Sequence, residues 1–290
     1  MMTGTIIKGI GGFYYVKTED GRVAECRARG KLRKQGITPM VGDNVNITVV
    51  NQNPYEGAIE SINERKNYLV RPPVANIDCV AVVVAAASPS PDKFLVDKLL
   101  VCAERFNLEV VIVINKTDLS DGNDITEIYK KCGYDVIHVC AVTGDGIDML
   151  KQRVAGKITA FAGNSGVGKS SILKHFGFDL ETGDVSKIER GRHTTRHVEL
   201  FAAENGGYVI DTPGFSLLEI ANVKADELKD YFPEFKEYND KCRFGGCSHY
   251  GAKERDCEIV KAVKDGIIPE SRYENYTTLY SVLKEINDYD

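Results

Sequence analysis

Gly163-Asn-Ser-Gly-Val-Gly-Lys-Ser170 fills every required position of G-x-x-x-x-G-K-[ST], the phosphate-binding loop. Ahead of it, Lys157–Ala162 is a short apolar run suited to a buried strand; behind it, Ser171–Phe176 reads as the start of a helix. Strand, glycine loop and helix together are the context the motif requires. The glycines let the backbone curl until the N–H groups of Gly163, Asn164, Ser165, Gly166, Val167, Gly168, Lys169, Ser170 and Ser171 face phosphate oxygens. Lys169 then reaches the β- and γ-phosphates as the catalytic cation, and Ser170 ligates Mg²⁺.

Working back from that loop, Cys79–Ala87 is a continuous apolar run, as expected of a strand buried on both faces. Pro91–Phe106 reads as a helix, and Glu109–Ile114 is a second buried strand running into Asn115-Lys116-Thr117-Asp118. A helical patch at Ile125–Cys132, a third strand at Asp135–Val139 and a helix at Ile147–Val154 follow. Strands and helices alternating at this spacing imply right-handed βαβ units in a layered α/β domain.

Asn-Lys-x-Asp at a strand end is the guanine-reading tetrapeptide of GTPases. Asp118 can accept from guanine N1–H and the 2-amino group together, whereas adenine would leave the carboxylate unpaired. Asn115 is expected to brace the loop and the Lys116 stem to lie over the base. Cys140-Ala141 stands where GTPases carry Ser-Ala, with the Ala141 N–H expected to face guanine O6. The guanine motif comes before the phosphate loop here, the reverse of the usual order. Such an order arises if a closed α/β unit is cut elsewhere and its old ends are joined on the surface; Gly156 marks the predicted join.

The chain has 290 residues, 43% of them hydrophobic, a net charge of −5 and eight cysteines. No run of about 18 apolar residues marks a membrane span, and Met1–Thr5 lacks the layout of a signal peptide. The cysteines therefore point to reduced thiols or metal binding rather than disulfides. With this charge, any contact with nucleic acid needs local basic patches.

From Gly4 to Leu69, β-prone runs at Thr5–Ile7, Phe13–Val16, Arg22–Ala28, Asn44–Val50 and Gly57–Ile62 alternate with glycine turns. Five short strands suggest an OB-type β-barrel over residues 1–70. Arg27, Arg29, Lys31, Arg33 and Lys34, with Tyr14 and Tyr15 nearby, suit an RNA-tracking surface; a solvated loop on a structural barrel is the other reading. Arg71-Pro-Pro73 is expected to be a linker.

After the phosphate loop, a polar stretch leads through Gly191-Arg-His-Thr-Thr-Arg196. A threonine here completes the Mg²⁺ shell and senses the γ-phosphate; Thr195 is preferred over Thr194. Val198–Ala202 and Tyr208–Ile210 read as paired strands, the second ending in Asp211-Thr-Pro-Gly214. Asp211 is assigned to Mg²⁺ through water and the Gly214 N–H to the γ-phosphate. Phe215 stands where Ras-type enzymes place the glutamine that orients water, so hydrolysis is expected to be slow alone. His193 is either a substitute for that glutamine or an ordinary loop histidine.

Cys242-x4-Cys247-x-His249-x7-Cys257 offers four ligands in the pattern of a closed Cys₃His zinc site. Helices are predicted at Lys224–Tyr231, Glu258–Lys264 and Arg272–Ile286. Such a small helical module needs a metal to hold its shape. The segment after Gly214 runs directly into it, a route for the nucleotide state to reach the metal site.

The order Asn115–Asp118, Gly163–Ser170, Gly191–Thr195, Asp211–Gly214, then Cys242, Cys247, His249 and Cys257, behind a small barrel, resembles one family over nearly the whole chain. It is the circularly permuted, ribosome small-subunit-dependent GTPase A family (RsgA, also called YjeQ or YloQ). The resemblance implies a multidomain fold: the OB-type barrel at 1–70, a permuted α/β P-loop GTPase domain at 71–218 and a helical zinc module at 219–290. It also implies a cytoplasmic factor that hydrolyses GTP to GDP, is stimulated by the small (30S) subunit and acts late in its assembly. The barrel and zinc module would contact 16S rRNA; a monomer is the simplest assembly. Two features depart from the family. Seven residues, Tyr250–Asp256, separate His249 from Cys257, more than is usual and without a proline. Asn164 replaces a common glutamine and is a candidate to recruit K⁺. A second reading is a GTP-binding RNA scaffold without useful hydrolysis; a P-loop kinase or ATPase is disfavoured by Asn115–Asp118.

Overall fold

Alternation of apolar and polar residues in the first sixty positions gives short strands with one face to bury. In the computed structural model, which describes residues 1–70, 73–178, 198–204, 206–210 and 223–287, those strands close into a barrel. They are β1 (Met2–Ile10), β2 (Phe13–Thr18) and β3 (Val23–Ala28), then a helix α1 (Gly30–Lys34), then β4 (Asn44–Gln52) and β5 (Tyr55–Ile62). The order is β1-β2-β3-β5-β4, antiparallel except for β3 against β5. Ile6, Val16, Cys26, Val45, Ile47 and Ile59 fill it and are fully buried. Helix α1 was not expected from the sequence; it carries Lys31, Arg33 and Lys34 and anchors through buried Leu32.

Beyond the barrel, β6 (Tyr68–Val70) pairs antiparallel with β7 (Pro73–Ala75). The expected linker is thus partly strand: Pro73 opens β7, a position where the missing N–H is tolerated. Residues 71 and 72 of that linker lie outside the described residues.

Next come β8 (Cys79–Ala85), α2 (Lys93–Arg105), β9 (Glu109–Asn115), α3 (Asn123–Lys131), β10 (Asp135–His138) and α4 (Ile147–Arg153). They are followed by β11 (Ile158–Ala162), α5 (Lys169–Lys174), β12 (Leu200–Ala202), β13 (Tyr208–Ile210), α6 (Glu258–Lys264) and α7 (Glu270–Asn287). By compactness the chain divides into two units. The first takes Met1–Cys79, Lys151–Phe161 and the described part of Phe176–Phe215; the second takes Val80–Leu150, Ala162–His175 and the described part of Ser216–Asp290.

In the first unit, β11 runs parallel to β13, and β12 pairs antiparallel with β13. Asp78 fixes the start of β11: its N–H donates to Ile158 O (2.9 Å) and its carboxylate accepts from Ile158 N (3.0 Å). In the second unit the strand order is β10-β9-β8, with β9 and β10 parallel. Every residue of β8 is buried, as a continuous apolar run requires.

The helix predicted over Lys224–Tyr231 is a 3-10 helix, Ala225–Tyr231. A single short element that runs into Pro233 closes with i→i+3 bonds, such as Glu227 N to Lys224 O at 3.0 Å. The C-terminal helices are joined to α2 by one ionic cluster. Arg272, fully buried, donates to Asp97 Oδ1 (2.6 Å) on α2 and to Glu234 (2.6 and 3.2 Å), and lies over the Phe232 ring at 4.4 Å. Asp97 also accepts from Tyr129 (3.0 Å) and Asn275 (2.7 Å). Burial opposes the Arg272 charge, but the Asp97 and Glu234 carboxylates outweigh it and hold the guanidinium protonated.

Candidate functional site

The nucleotide motifs meet inside the second unit. Asn115 ends β9 with its side chain 2% exposed and spans two loops. Its Nδ2 donates to Val167 O of the phosphate loop (2.8 Å), and its Oδ1 accepts from Ala141 N (3.1 Å). Contact is so close that a Cβ on Gly168, whose φ is +95°, would lie 2.1 Å from Asn115 Nδ2. Gly163 meets the β8 backbone in the same way: a Cβ there would stand 2.2 Å from Val83 O. Only glycine fits at both positions.

Lys116 adopts a left-handed φ of 65° and its Nζ donates to Ser88 O. Thr117 Oγ1 donates to Val139 O (3.1 Å), tying the tetrapeptide to the segment after β10. Cys140 Sγ donates to Asp118 Oδ1 (3.3 Å), so the residue in the usual serine position orients the exposed carboxylate. The Ala141 N–H, assigned in the sequence to guanine O6, donates to Asn115 Oδ1 in this structure. A buried amide oxygen takes the nearest donor, since leaving it unpaired is costly.

Lys169 folds back over its own loop, donating to Gly163 O (2.7 Å) and Asn164 O (2.6 Å). Ser165, Gly166, Ser170 and Ser171 are exposed along the loop rim. Asn164 Nδ2 donates to Asp92 Oδ2 (3.3 Å), the N-cap of α2. From the other end of α5, His175 Nε2 lies 2.9 Å from Ala141 O. The remaining nucleotide expectations, on His193, Thr194, Thr195, Asp211, Gly214 and Phe215, fall outside the described residues.

The second cluster is Cys242, Cys247, His249 and Cys257, whose ligand atoms all lie within 4.8 Å of one another. Tetrahedral zinc with Zn–S of about 2.3 Å requires S···S edges of about 3.8 Å and slightly shorter N···S edges. Cys242 Sγ and Cys257 Sγ stand 3.8 Å apart, and His249 Nδ1 is 3.6 and 3.4 Å from them. Those three ligand atoms match tetrahedral edges, and with Cys247 the four residues could hold a metal ion.

The surroundings prepare the ligands. His249 Nε2 is 3.0 Å from Asn239 Oδ1, which only accepts, so Nε2 carries the proton and Nδ1 offers its lone pair to the metal. Burial, with Lys229 nearby, lowers the His249 pKa to about 4, keeping the ring neutral. Burial pushes the Cys257 thiol up to about 12, so a thiolate there needs a cation beside it. Tyr273 OH donates to His249 O (2.7 Å) and Tyr276 OH to Ser248 O (2.5 Å), holding a loop in which His249 has a φ of +59°. The long spacing before Cys257 is absorbed by a 3-10 helix, Glu254–Asp256, and by Arg243, whose N–H donates to Asp256 O (3.1 Å).

Asn239, Tyr273, Tyr276, Arg272 and His175 went unnoticed in the sequence. None belongs to a motif, and no spacing rule singles any of them out. The other five cysteines form no disulfide and are buried.

In the barrel, the basic cluster divides. Arg29 and Lys31 pair with Glu60 (3.0 and 3.6 Å), while Arg33 and Lys34 line a cleft of about 760 Å³ with Phe13 and Tyr14. Arg27 stacks over Phe13 at 4.3 Å in the same cleft. Tyr15, opposite Glu25 in the ladder, does not line that cleft.

A phosphate loop joined to an Asn-Lys-x-Asp loop through Asn115, with the guanine motif first in the chain, defines a circularly permuted P-loop GTPase. Residues 62–221 match the model of the RsgA GTPase family and residues 3–59 that of the RsgA N-terminal domain. The protein called small ribosomal subunit biogenesis GTPase RsgA in Ruminiclostridium cellulolyticum is 47% identical over 100% of this chain and 96% of its own length. Its counterpart in Geobacillus kaustophilus is 46% identical over 98% of each. Among solved structures, YjeQ from Thermotoga maritima matches with a TM-score of 0.81 and 38% identity, over 97% of this chain and 98% of that one. YloQ, described as a circularly permuted GTPase, matches equally well (TM-score 0.81, 38% identity, 98% and 96% coverage). The chain belongs to the RsgA GTPase family, whose members are GTP hydrolases. That membership decides between the hydrolase and the non-hydrolysing scaffold. No helix among the described residues is long and apolar enough to cross a membrane.

Proposed function

We propose that this chain hydrolyses GTP in response to the small ribosomal subunit, which it binds late in assembly through 16S rRNA, in the cytoplasm and as a monomer. The observation that supports the reading is the Asn115 Nδ2–Val167 O bond (2.8 Å), which ties the guanine tetrapeptide to the phosphate loop. The names of the relatives support the choice of partner. The barrel cleft with Phe13, Arg27 and Arg33 supports the RNA contact: aromatic rings stack bases while guanidinium groups meet phosphates. We assign the barrel to residues 1–70, the GTPase domain to 71–218 and the metal module to 219–290.

In this mechanism Asp118 takes guanine N1–H and the 2-amino group, and Asn115 with Cys140 and Ala141 holds the pocket around the base. The loop N–H groups from Gly163 to Ser171 and the Lys169 ammonium surround the phosphates. Water attacks the γ-phosphorus, the bond to the β–γ bridging oxygen breaks, and GDP and phosphate leave. The charge that moves onto the bridging oxygen is met by Lys169 and by backbone donors of the phosphate loop, while the Gly214 N–H is assigned to the γ-phosphate. Ser170, Thr195 and, through water, Asp211 are assigned to Mg²⁺, which when bound neutralises the β- and γ-oxygens. Asn164 is assigned to K⁺. Phe215 cannot orient water, so that task falls to His193 or to a group the subunit supplies. Cys242, Cys247, His249 and Cys257 take one structural Zn²⁺.

The test is GTP turnover with and without purified small subunits. Stimulation is the expected outcome, and an unchanged rate at saturating subunit would remove the proposal.

A further inference from the structure

The two halves of the nucleotide pocket are joined at two points, and only one belongs to a recognised motif. At the first, Asn115 links Val167 O to Ala141 N (2.8 and 3.1 Å). At the second, His175 sits at the C-cap of α5, the helix that begins with Lys169, with Nε2 2.9 Å from Ala141 O. A carbonyl oxygen only accepts, so Nε2 carries the proton. Ala141 is therefore held on both sides of its residue, N–H by Asn115 and C=O by His175. From Val167 the chain runs through α5 back to His175 and closes a ring.

His175 also caps its own helix through its backbone, with N–H to Ile172 O at 3.0 Å, and that bond needs no particular side chain. The imidazole is thus directed at the base-side loop rather than required by the helix. The Cys140–Gly144 turn beneath it closes by Gly144 N to Cys140 O (2.8 Å).

We infer that His175 is a positioning residue of the guanine pocket: it fixes Ala141 against the phosphate-loop helix, so that base and phosphate subsites keep one separation before nucleotide enters. The inference rests on the reading of Asp118 and Cys140–Ala141 as the base side. Pre-organisation of this kind raises affinity by reducing the ordering that binding must impose. It leaves untouched the choice Asp118 makes at the 2-amino group.

Dissociation constants for GTP and ITP, measured on the full chain, test it. ITP keeps O6 and N1–H and lacks the 2-amino group. His175→Ala and His175→Phe should each weaken GTP and ITP in the same proportion, about three- to tenfold, the range one partly buried hydrogen bond supports. His175→Gln, whose amide nitrogen reaches about as far as Nε2, should restore wild-type affinity. The inference is overturned if Ala and Phe variants bind both nucleotides as the wild type does, or if Gln binds as weakly as Ala. Asp118→Asn serves as the separate arm: an unchanged GTP-to-ITP ratio there would refute the guanine pocket itself, whatever His175 does.

Discussion

In the nucleotide loops, side chains hold backbone: Asn115, Lys169 and His175 bond to the main chain of Val167, Gly163, Asn164 and Ala141. In the metal centre side chains hold backbone as well, but to a different end. There Tyr273 and Tyr276 hold the main chain of His249 and Ser248 so that four side chains converge. The first arrangement leaves Asp118, Ser165, Gly166 and Ser170 exposed; the second encloses His249 completely. A site whose ligand must come and go stays open and takes its order from neighbouring elements. A site whose ligand stays can close, and the ligand then supplies much of the order.

Metal removal separates these two most sharply. Structural zinc contributes roughly 10 kcal/mol or more of folding free energy in small modules. A chelator strong enough to strip the ion should therefore unfold the C-terminal module, seen as lost helical circular dichroism with one equivalent of metal released. Intact helices after complete stripping would mean the cluster closes without its ion, and the contrast with the nucleotide site would fail.

Arg272→Met comes next, because it leaves Asp97 and Glu234 buried without their cation. Breaking such a pair costs about 3–5 kcal/mol, readable as a shift of the urea midpoint; a loss under about 1 kcal/mol would place the module's attachment elsewhere.

Lys169→Ala should reduce GTP turnover by roughly a hundred- to a thousandfold, as for loss of one transition-state donor. Metal content should stay at that of the wild type. A matching loss of metal would show that the two sites do not hold their shapes separately.

The smallest effect is expected for Asn239→Ala, about ten- to a hundredfold in metal affinity, as for other outer partners of a ligating histidine. Competition with a chromogenic chelator measures it, and wild-type affinity would show that the tyrosines alone orient His249.

Much of this was legible without coordinates. The phosphate loop, the guanine tetrapeptide and the cysteine–histidine cluster are contiguous or nearly so, and their chemistry demands particular residues at particular spacings. The barrel strands showed through their alternation and glycine turns, as did the buried run of β8. Helix α1 did not, because five residues rich in lysine and arginine look the same in a loop and in one helical turn. Tyr14 and Tyr15 looked equivalent until strand pairing sent them to opposite faces.

By itself the sequence determined which chemistry this protein can perform, since glycine at 163 and 168, lysine at 169, aspartate at 118 and the four soft ligands each answer a local requirement. Tertiary structure alone decided how those pieces are held. Arg272 between Asp97 and Glu234, and His175 against Ala141, are pairs far apart along the chain. Hydrogen bonds and ion pairs at such separations depend on where folding sets the partners, and no spacing rule records that.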